Sequence, residues 1–455
     1  MKTTLGQLHR WIIGSKLTAD ASFDGVSTDT RLAGAGNLFV ALKGDNFDAH
    51  DFLADLPKKG VAAVVAERIP ENYLLPALIV ADTRLALGEM ARQWRRNFSI
   101  PVIGVAGSNG KTTVKEMIAT ILKTAFGDEG RLATSGNFNN DIGVPLTIFR
   151  MNENHRAAVI ELGMNHVGEM AYLTDIAQPT VGLVNNAQRE HQEFMQTVLA
   201  VAEENGTVIR SLPENGTAVF PVDEPYSDLW ARYAGSRQIR TFGLERVADI
   251  SGRYENEHGG TSVVMESEGE SYPVRLATSG RHNVRNALAA AACARSAGVD
   301  WKTIVKGLET FAPVHGRLEK KNAFNGALLI DDTYNANPDS VRAAIDVLAE
   351  LSGKGIFVLG DMGEVGNDGE RFHVEVGEYA RERQIGHLFT FGEMARFAST
   401  AFGNNGRHFD DMAEMNAVLE QLLEPDMTVL VKGSRFMKME RVVNQLMDKK
   451  NKEGC

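Results

Sequence analysis

Ile100-Pro101-Val102-Ile103-Gly104-Val105-Ala106-Gly107-Ser108-Asn109-Gly110-Lys111-Thr112-Thr113 is the stretch whose reading decides the fold. The apolar run that ends at Val105 reads as a buried strand, and a loop of small residues follows it. From Val114 to Phe126 the apolar residues Met117, Ile118, Ile121, Leu122, Ala125 and Phe126 recur at helical spacing. Strand, glycine loop and helix together form a phosphate cradle. Backbone N–H groups converge on an anion there, and the helix start adds partial positive charge. Within the loop Gly107-Ser108-Asn109-Gly110-Lys111-Thr112-Thr113, Lys111 would reach the β- and γ-phosphates of a nucleotide and Thr112 would hold magnesium, a reading favoured over a glycine-rich turn with an ordinary surface lysine. The longer phosphate-loop pattern would put a glycine six residues before the lysine, where this chain has Val105.

Working outward, a chain of 455 residues exceeds one typical domain. With 43% hydrophobic and 24% charged residues, its composition is that of a soluble globular protein. The net charge of −11 argues against broad nucleic-acid binding. The two cysteines, Cys293 and Cys455, form neither a disulfide framework nor a metal-ligand spacing, and Cys293 reads as a small core residue. No apolar run approaches the ~20 residues of a membrane span. The N-terminus lacks a secretory apolar core, so a cytoplasmic location is expected. No segment signals an oligomer, and a monomer is expected.

The coarse pattern is α/β in three units. Residues 1–82 read as a small N-terminal α/β domain, with strands at Leu38–Leu42, Val61–Ala66 and Leu78–Val80 and a helix at Asp51–Lys59. Asp82-Thr83 supplies N-cap chemistry for a helix to about Arg96. Residues 83–313 read as a central domain around a doubly wound, mainly parallel sheet carrying the phosphate loop, with residues 206–276 as a strand-rich element at its side. Residues 314–455 read as a C-terminal α/β domain like a dinucleotide-binding fold, disordered from about Lys449.

In such sheets ligands sit beyond the carboxyl ends of strands. Glu161 closes the apolar strand Ala157–Glu161, which suits a magnesium ligand opposite the phosphate loop. His191, in a polar loop, reads either as a second metal ligand or as an exposed histidine without function. Asn137, Asn139 and Asn140 in one amide-rich loop, and Asn335 and Asn337 in another, read either as hydrogen-bond donors to a polar substrate or as turn residues. Ser27, Asp29, Thr30 and Arg31 read either as a nucleotide-sugar contact or as a capped turn with a surface ion pair.

In order along the chain, these segments resemble the Mur ligase family of ATP-dependent amide-forming enzymes. The resemblance is carried by Asp29-Thr30-Arg31, the phosphate loop, Gly136-Asn137-Phe138-Asn139-Asn140-Asp141-Ile142-Gly143, Glu161-Leu162-Gly163 and His282-Asn283-Val284-Arg285-Asn286. It continues through His315-Gly316-Arg317, Asp332-Thr333-Tyr334-Asn335-Ala336-Asn337-Pro338, Leu359-Gly360-Asp361-Met362-Gly363-Glu364 and Val431-Lys432-Gly433-Ser434-Arg435. It implies ATP and magnesium as cofactors, and UDP-N-acetylmuramoyl-tripeptide and D-alanyl-D-alanine as small-molecule substrates, joined through an acyl phosphate. It further implies catalytic roles for Lys111 and His191, metal ligation by Thr112, Glu161 and His191, and ATP contacts from Asn283, Asn286, Arg317 and Asp332. Ser27, Asp29, Thr30 and Arg31 would meet the uridine diphosphate. The sequence departs from the family at one helix, where a lysine modified to a carbamate is usual and Asn205 stands instead. An amide forms no carbamate, and Glu204 next to it would point about 100° away around the helix.

Overall fold

The computed structural model describes residues 1–257, 260–351 and 354–447. The expected disorder from Lys449 onward, and Cys455, lie outside the described residues.

Val102–Ala106 is a fully buried strand, and Lys111–Phe126 is the helix that follows the loop. The strand lies inside a nine-stranded sheet, flanked on its two sides by Val181–Val184 and Ala157–Glu161. From Arg131–Ala133 at one edge to Ile250–Glu257 the neighbours run parallel. Two antiparallel strands, Gly260–Ser267 and Glu270–Leu276, complete the other edge. Apolar clusters cover both faces. One gathers Met117, Ile121 and Leu122 with Ala287 to Ala294, and the other gathers Met170, Leu173, Val208 and Trp230. That is the doubly wound arrangement, and it explains why the central strands read as unbroken apolar runs. Cys293 is fully buried in this core.

Two expectations change. Residues 206–276 are not an element beside the sheet; they extend it. Thr217–Pro221 is buried throughout and pairs in parallel with Val181–Val184, with the short helices Thr207–Arg210 and Ser227–Ala234 in the same stretch. The expected helix at Asp51–Lys59 is a 3-10 helix, Ala49–Lys59. Leu53 and Leu56, three apart, both face the core, and Pro57 removes an amide that a regular helix would use.

The N-terminal unit has a five-stranded sheet from Lys16–Leu17 to Val26–Ser27, and its Leu5, Leu8 and Phe23 join the apolar core under the central sheet. The C-terminal unit has a six-stranded sheet ordered Glu319–Asn322, Leu328–Asp332, Thr428–Lys432, Gly355–Gly360, His387–Phe391 and Gly406–Phe409, all parallel after the first. The carboxyl ends of Val102–Ala106 and Ala157–Glu161 in the central sheet, and of Leu328–Asp332 and Thr428–Lys432 in the C-terminal sheet, lead into the residues that line one cleft. Among the described residues no helix is long and apolar enough to cross a membrane.

Candidate active site

The cleft between the central and C-terminal units holds a cavity of about 920 Å³. Its floor is the phosphate loop, where Gly107 and Gly110 adopt φ of 137° and 78°. Those left-handed values suit glycine, and they turn the chain from strand into helix without a Cβ in the cradle.

Lys111 folds back in this structure. Its ammonium donates to the Gly107 and Ser108 carbonyls and lies 3.2 Å from Glu190 Oε2. Beside it the Thr112 hydroxyl donates to Glu161 Oε1 at 3.1 Å and accepts from Arg317 Nη2 at 2.9 Å. Asn139 Nδ2 donates to the same Glu161 oxygen at 2.9 Å. The second oxygen, Glu161 Oε2, is buried and meets no donor. A buried anionic oxygen without a partner is costly. Next to a hydroxyl and above a phosphate loop, it fits a hard divalent cation such as magnesium.

His191 lines the same cavity and holds a left-handed φ of 48°, uncommon for a residue with a side chain. Its Nδ1 is 2.6 Å from Glu364 Oε2. That imidazole holds the Glu364 carboxyl below the usual carboxylate range. The histidine therefore stands in the cavity lining.

A second group lies along the helix Arg281–Ser296. Asn286 accepts from Asn185 Nδ2 at 2.9 Å and donates to Asn283 at 3.3 Å, while Asn283 donates to the Ser279 carbonyl. His282 is pushed down to about 4 by burial, with help from Lys432 and Arg285, so it faces the cavity as a neutral imidazole. Across the cleft, Lys432 Nζ reaches Asp332 Oδ2 at 2.6 Å and the Asn335 carbonyl at 2.9 Å. Arg317 stacks over Tyr334 with 4.1 Å to the ring centroid.

The two amide-rich loops divide their labour. Asn139 points at Glu161, whereas Asn140 accepts from the Ile142 and Gly143 amides in the turn before the helix Gly143–Phe149. Asn137 is exposed at the rim. Asn337 caps the helix Pro338–Glu350 and exchanges amide hydrogen bonds with Asn109, one of them 2.9 Å long. Asn335 accepts from the Ala336 amide and so shapes its own turn. All five line the cavity, as do Ser108, Asn109, Gly110, Lys111, Thr112 and Thr113. Ser27, Asp29, Thr30 and Arg31 do not. Asp29 there pairs with Arg31, which lowers its carboxyl to about 2. Gly107 supports the loop from behind, its amide donating to Asn205 Oδ1 at 3.0 Å.

Sequence reasoning assigned no role to Glu190, Asn185, Lys432 or Arg189, all of which line the cavity. Asn185 and Lys432 stand at or just past carboxyl ends of buried strands, the rule that singled out Glu161. Glu190 adjoins His191 in the same polar loop.

The pattern of the Mur ligase middle domain matches residues 105–294, and that of the Mur ligase glutamate ligase domain matches residues 316–435. The chain belongs to the Mur ligase family. Among its relatives is the UDP-N-acetylmuramoyl-tripeptide–D-alanyl-D-alanine ligase of Escherichia coli, 41% identical across 98% of this chain and 99% of that one. The enzyme of the same name from Bacillus subtilis is 35% identical over 93% of each. A crystal structure of MurF from Acinetobacter baumannii superposes with a TM-score of 0.91 at 34% identity, covering 97% of this chain and 98% of that one. MurF from Thermotoga maritima, solved in complex with ADP, gives 0.83 at 29% identity, covering 92% and 96%.

Proposed function

We propose that this protein is the ATP-dependent ligase that joins D-alanyl-D-alanine to UDP-N-acetylmuramoyl-tripeptide in the cytoplasm, acting as a monomer. The observation that carries the reading is the phosphate loop with Lys111 and Thr112 set against the partnerless Glu161 oxygen, in a cleft that two units complete.

The chemistry follows from the groups. A carboxylate is a poor acyl donor, so its oxygen first takes the γ-phosphoryl group of ATP and ADP leaves. The amine of D-alanyl-D-alanine then attacks the acyl carbon, loses a proton, and inorganic phosphate departs from the tetrahedral centre. Lys111 turns from the loop carbonyls to the β- and γ-phosphates and offsets charge crowding in the transition state. Arg317 adds a second cation over Thr112. Thr112, Glu161 and His191 would hold magnesium, which when bound neutralises phosphate oxygens. Asn283 and Asn286 meet the adenine, and Asp332 the ribose.

The division of labour follows the three units. Residues 1–82 bind the uridine diphosphate through Ser27, Asp29, Thr30 and Arg31, residues 83–313 bind ATP, and residues 314–455 close on it and receive the amine. The reacting carboxylate is at the far end of a long substrate, so the uridine end has no need to enter the cavity. Asn137, Asn139, Asn140, Asn335 and Asn337 surround the space where acyl donor and amine meet. Closing the cleft keeps water from the acyl phosphate.

Phosphate release from ATP should require both UDP-N-acetylmuramoyl-tripeptide and D-alanyl-D-alanine. With ¹⁸O in the terminal carboxylate of the tripeptide, label should appear in the released phosphate. Unlabelled phosphate would mean that ATP hydrolysis is uncoupled from that carboxylate, and the ligase mechanism would be wrong here.

A further inference from the structure

Glu190 is a carboxylate that nothing in the reading above employs, yet it is 5% exposed and stands in the centre of the site. Its Oε1 accepts from Asn205 Nδ2 at 3.3 Å, and Asn205 Oδ1 in turn takes the Gly107 amide at 3.0 Å. Asn205 is itself 1% exposed, so a buried amide ties this carboxylate to the back of the phosphate loop. Its Oε2 is 3.2 Å from Lys111 Nζ. Among the described residues these are the hydrogen-bond donors that reach it.

A buried carboxylate needs either a cation or enough hydrogen-bond donors beside it, and without Lys111 the Glu190 carboxylate keeps only the Asn205 amide, at 3.3 Å. Lys111 serves in this structure, but Lys111 cannot stay there and also reach a polyphosphate. Its other acceptors, the Gly107 and Ser108 carbonyls, are neutral and tolerate its departure. Glu190 does not tolerate it unless another cation arrives. A nucleotide brings one, since polyphosphates travel with divalent metal. Carboxylate oxygen suits magnesium. A second ligand atom is close: His191 Nε2 is 3.8 Å from Glu190 Oε2. Two ligands at right angles on one magnesium ion stand about 3 Å apart, so a small side-chain movement brings them together. Glu364 stands 2.6 Å from His191 Nδ1, so Nε2 is the ring nitrogen that faces Glu190 and is left for the metal.

We propose that Glu190, tethered by Asn205, is a magnesium ligand of this site that exchanges the Lys111 ammonium for the metal as the nucleotide enters. The role of Glu190 rests on the ATP–magnesium reading of the cavity. It makes the chain's own carboxylate, rather than a modified side chain at position 205, the anion behind the phosphate loop.

The test is a binding experiment without turnover. A non-hydrolysable ATP analogue is titrated calorimetrically into the full chain with and without magnesium, and bound manganese is followed by electron paramagnetic resonance. In Glu190→Gln, metal-free affinity should hold or tighten, because Lys111 is released. The factor by which metal strengthens nucleotide binding should fall about 10- to 100-fold. Glu190→Asp keeps a counter-ion for Lys111, and so the fold, but draws the oxygens back by about one bond length, ~1.5 Å. It should weaken manganese binding measurably and alter its spectrum. Full metal enhancement in Glu190→Gln, or an unchanged manganese signal in Glu190→Asp, overturns the role of Glu190 alone. Equal loss of nucleotide binding with and without metal in a folded Glu190→Gln also overturns it, since that marks a structural role. A wild-type protein that binds no nucleotide overturns the reading of the cavity itself.

Discussion

At the scale of single residues, Lys111 carries two loads that a substitution would separate. On the proposed reading Lys111→Ala removes the cation that would meet the phosphates, and turnover should fall by at least ~10²–10³. It also strands the Glu190 carboxylate, 3.2 Å from the ammonium in this structure, at a cost of about 1–3 kcal/mol of stability. Pairing it with Glu190→Gln should recover that stability in denaturant unfolding while ligation stays lost. Near-normal turnover in a folded Lys111→Ala protein would remove the lysine from the mechanism. Asn205 supports a second expectation. Both ends of its amide are satisfied inside the protein, by Gly107 and Glu190, and Glu204 faces away to accept from the Gly168 and Met170 amides. Activity should therefore not depend on bicarbonate. A large loss of rate on depleting CO₂, restored by bicarbonate, would mean that a carbamylated lysine acts somewhere in the site. The sequence marked position 205 as unusual. What the amide does there was not legible, because Gly107 and Glu190 come to it from 98 and 15 residues away.

At the scale of elements, the strand, loop and helix around Lys111 were readable because each part has a local cause. Apolar residues run unbroken through the strand, small residues fill the turn, and helical spacing follows. Even the missing glycine has an account: Val105 is still in the strand, paired with Glu161 on one side and Leu183 on the other, so the turn begins only at Gly107. The 3-10 helix Ala49–Lys59 was harder, since Leu53 and Leu56 fit two helical periods equally. The loop also allows a sharp test. A Cβ on Gly110 would lie 2.6 Å from Asn286 Oδ1 and 2.9 Å from Asn185 Nδ2, on a backbone with φ of 78°. The left-handed conformation alone costs about 1–2 kcal/mol with a side chain, and the Asn185–Asn286 pair must also move. Gly110→Ala should keep its circular dichroism and lose nucleotide affinity by roughly tenfold or more, given ~1.4 kcal/mol per tenfold. Unchanged affinity by calorimetry would show that the loop can open without loss.

At the scale of the whole molecule, the three α/β units were visible in the alternation of strands and helices, but their placement was not. Nothing local says that Arg189 meets Asp339, which is 150 residues further on. Arg189 ties the two sides of the cleft together. It makes paired hydrogen bonds to Asp339, the shortest 2.6 Å, and to Glu375, the shortest 2.7 Å, and its own amide donates to Asp339 Oδ2. Burial works against its charge, yet the bonds to Asp339 and Glu375 hold the guanidinium above its usual range. Asp339 lies in the first turn of the helix that Asn337 caps, and Asn337 is bonded to Asn109 of the phosphate loop. The same helix start thus grips both the nucleotide loop and the Arg189 loop. Charged, partly buried hydrogen bonds of this kind contribute about 1.5–3 kcal/mol each. Allowing for reorganisation, the loss of Arg189 should shift the closing equilibrium by about 1–3 kcal/mol, or roughly 5- to 150-fold. Arg189→Met keeps much of the side-chain volume and its packing against Phe372 but none of the hydrogen bonds. Its small-angle scattering without ligand should show a larger radius of gyration than wild type, and an ATP analogue with magnesium should restore the compact form. KM for ATP should rise while the melting of the separate units stays near wild type. If scattering and KM both match wild type, the cleft is held shut by Asn109–Asn337 and Arg317–Thr112, and Arg189 is an ordinary ion pair.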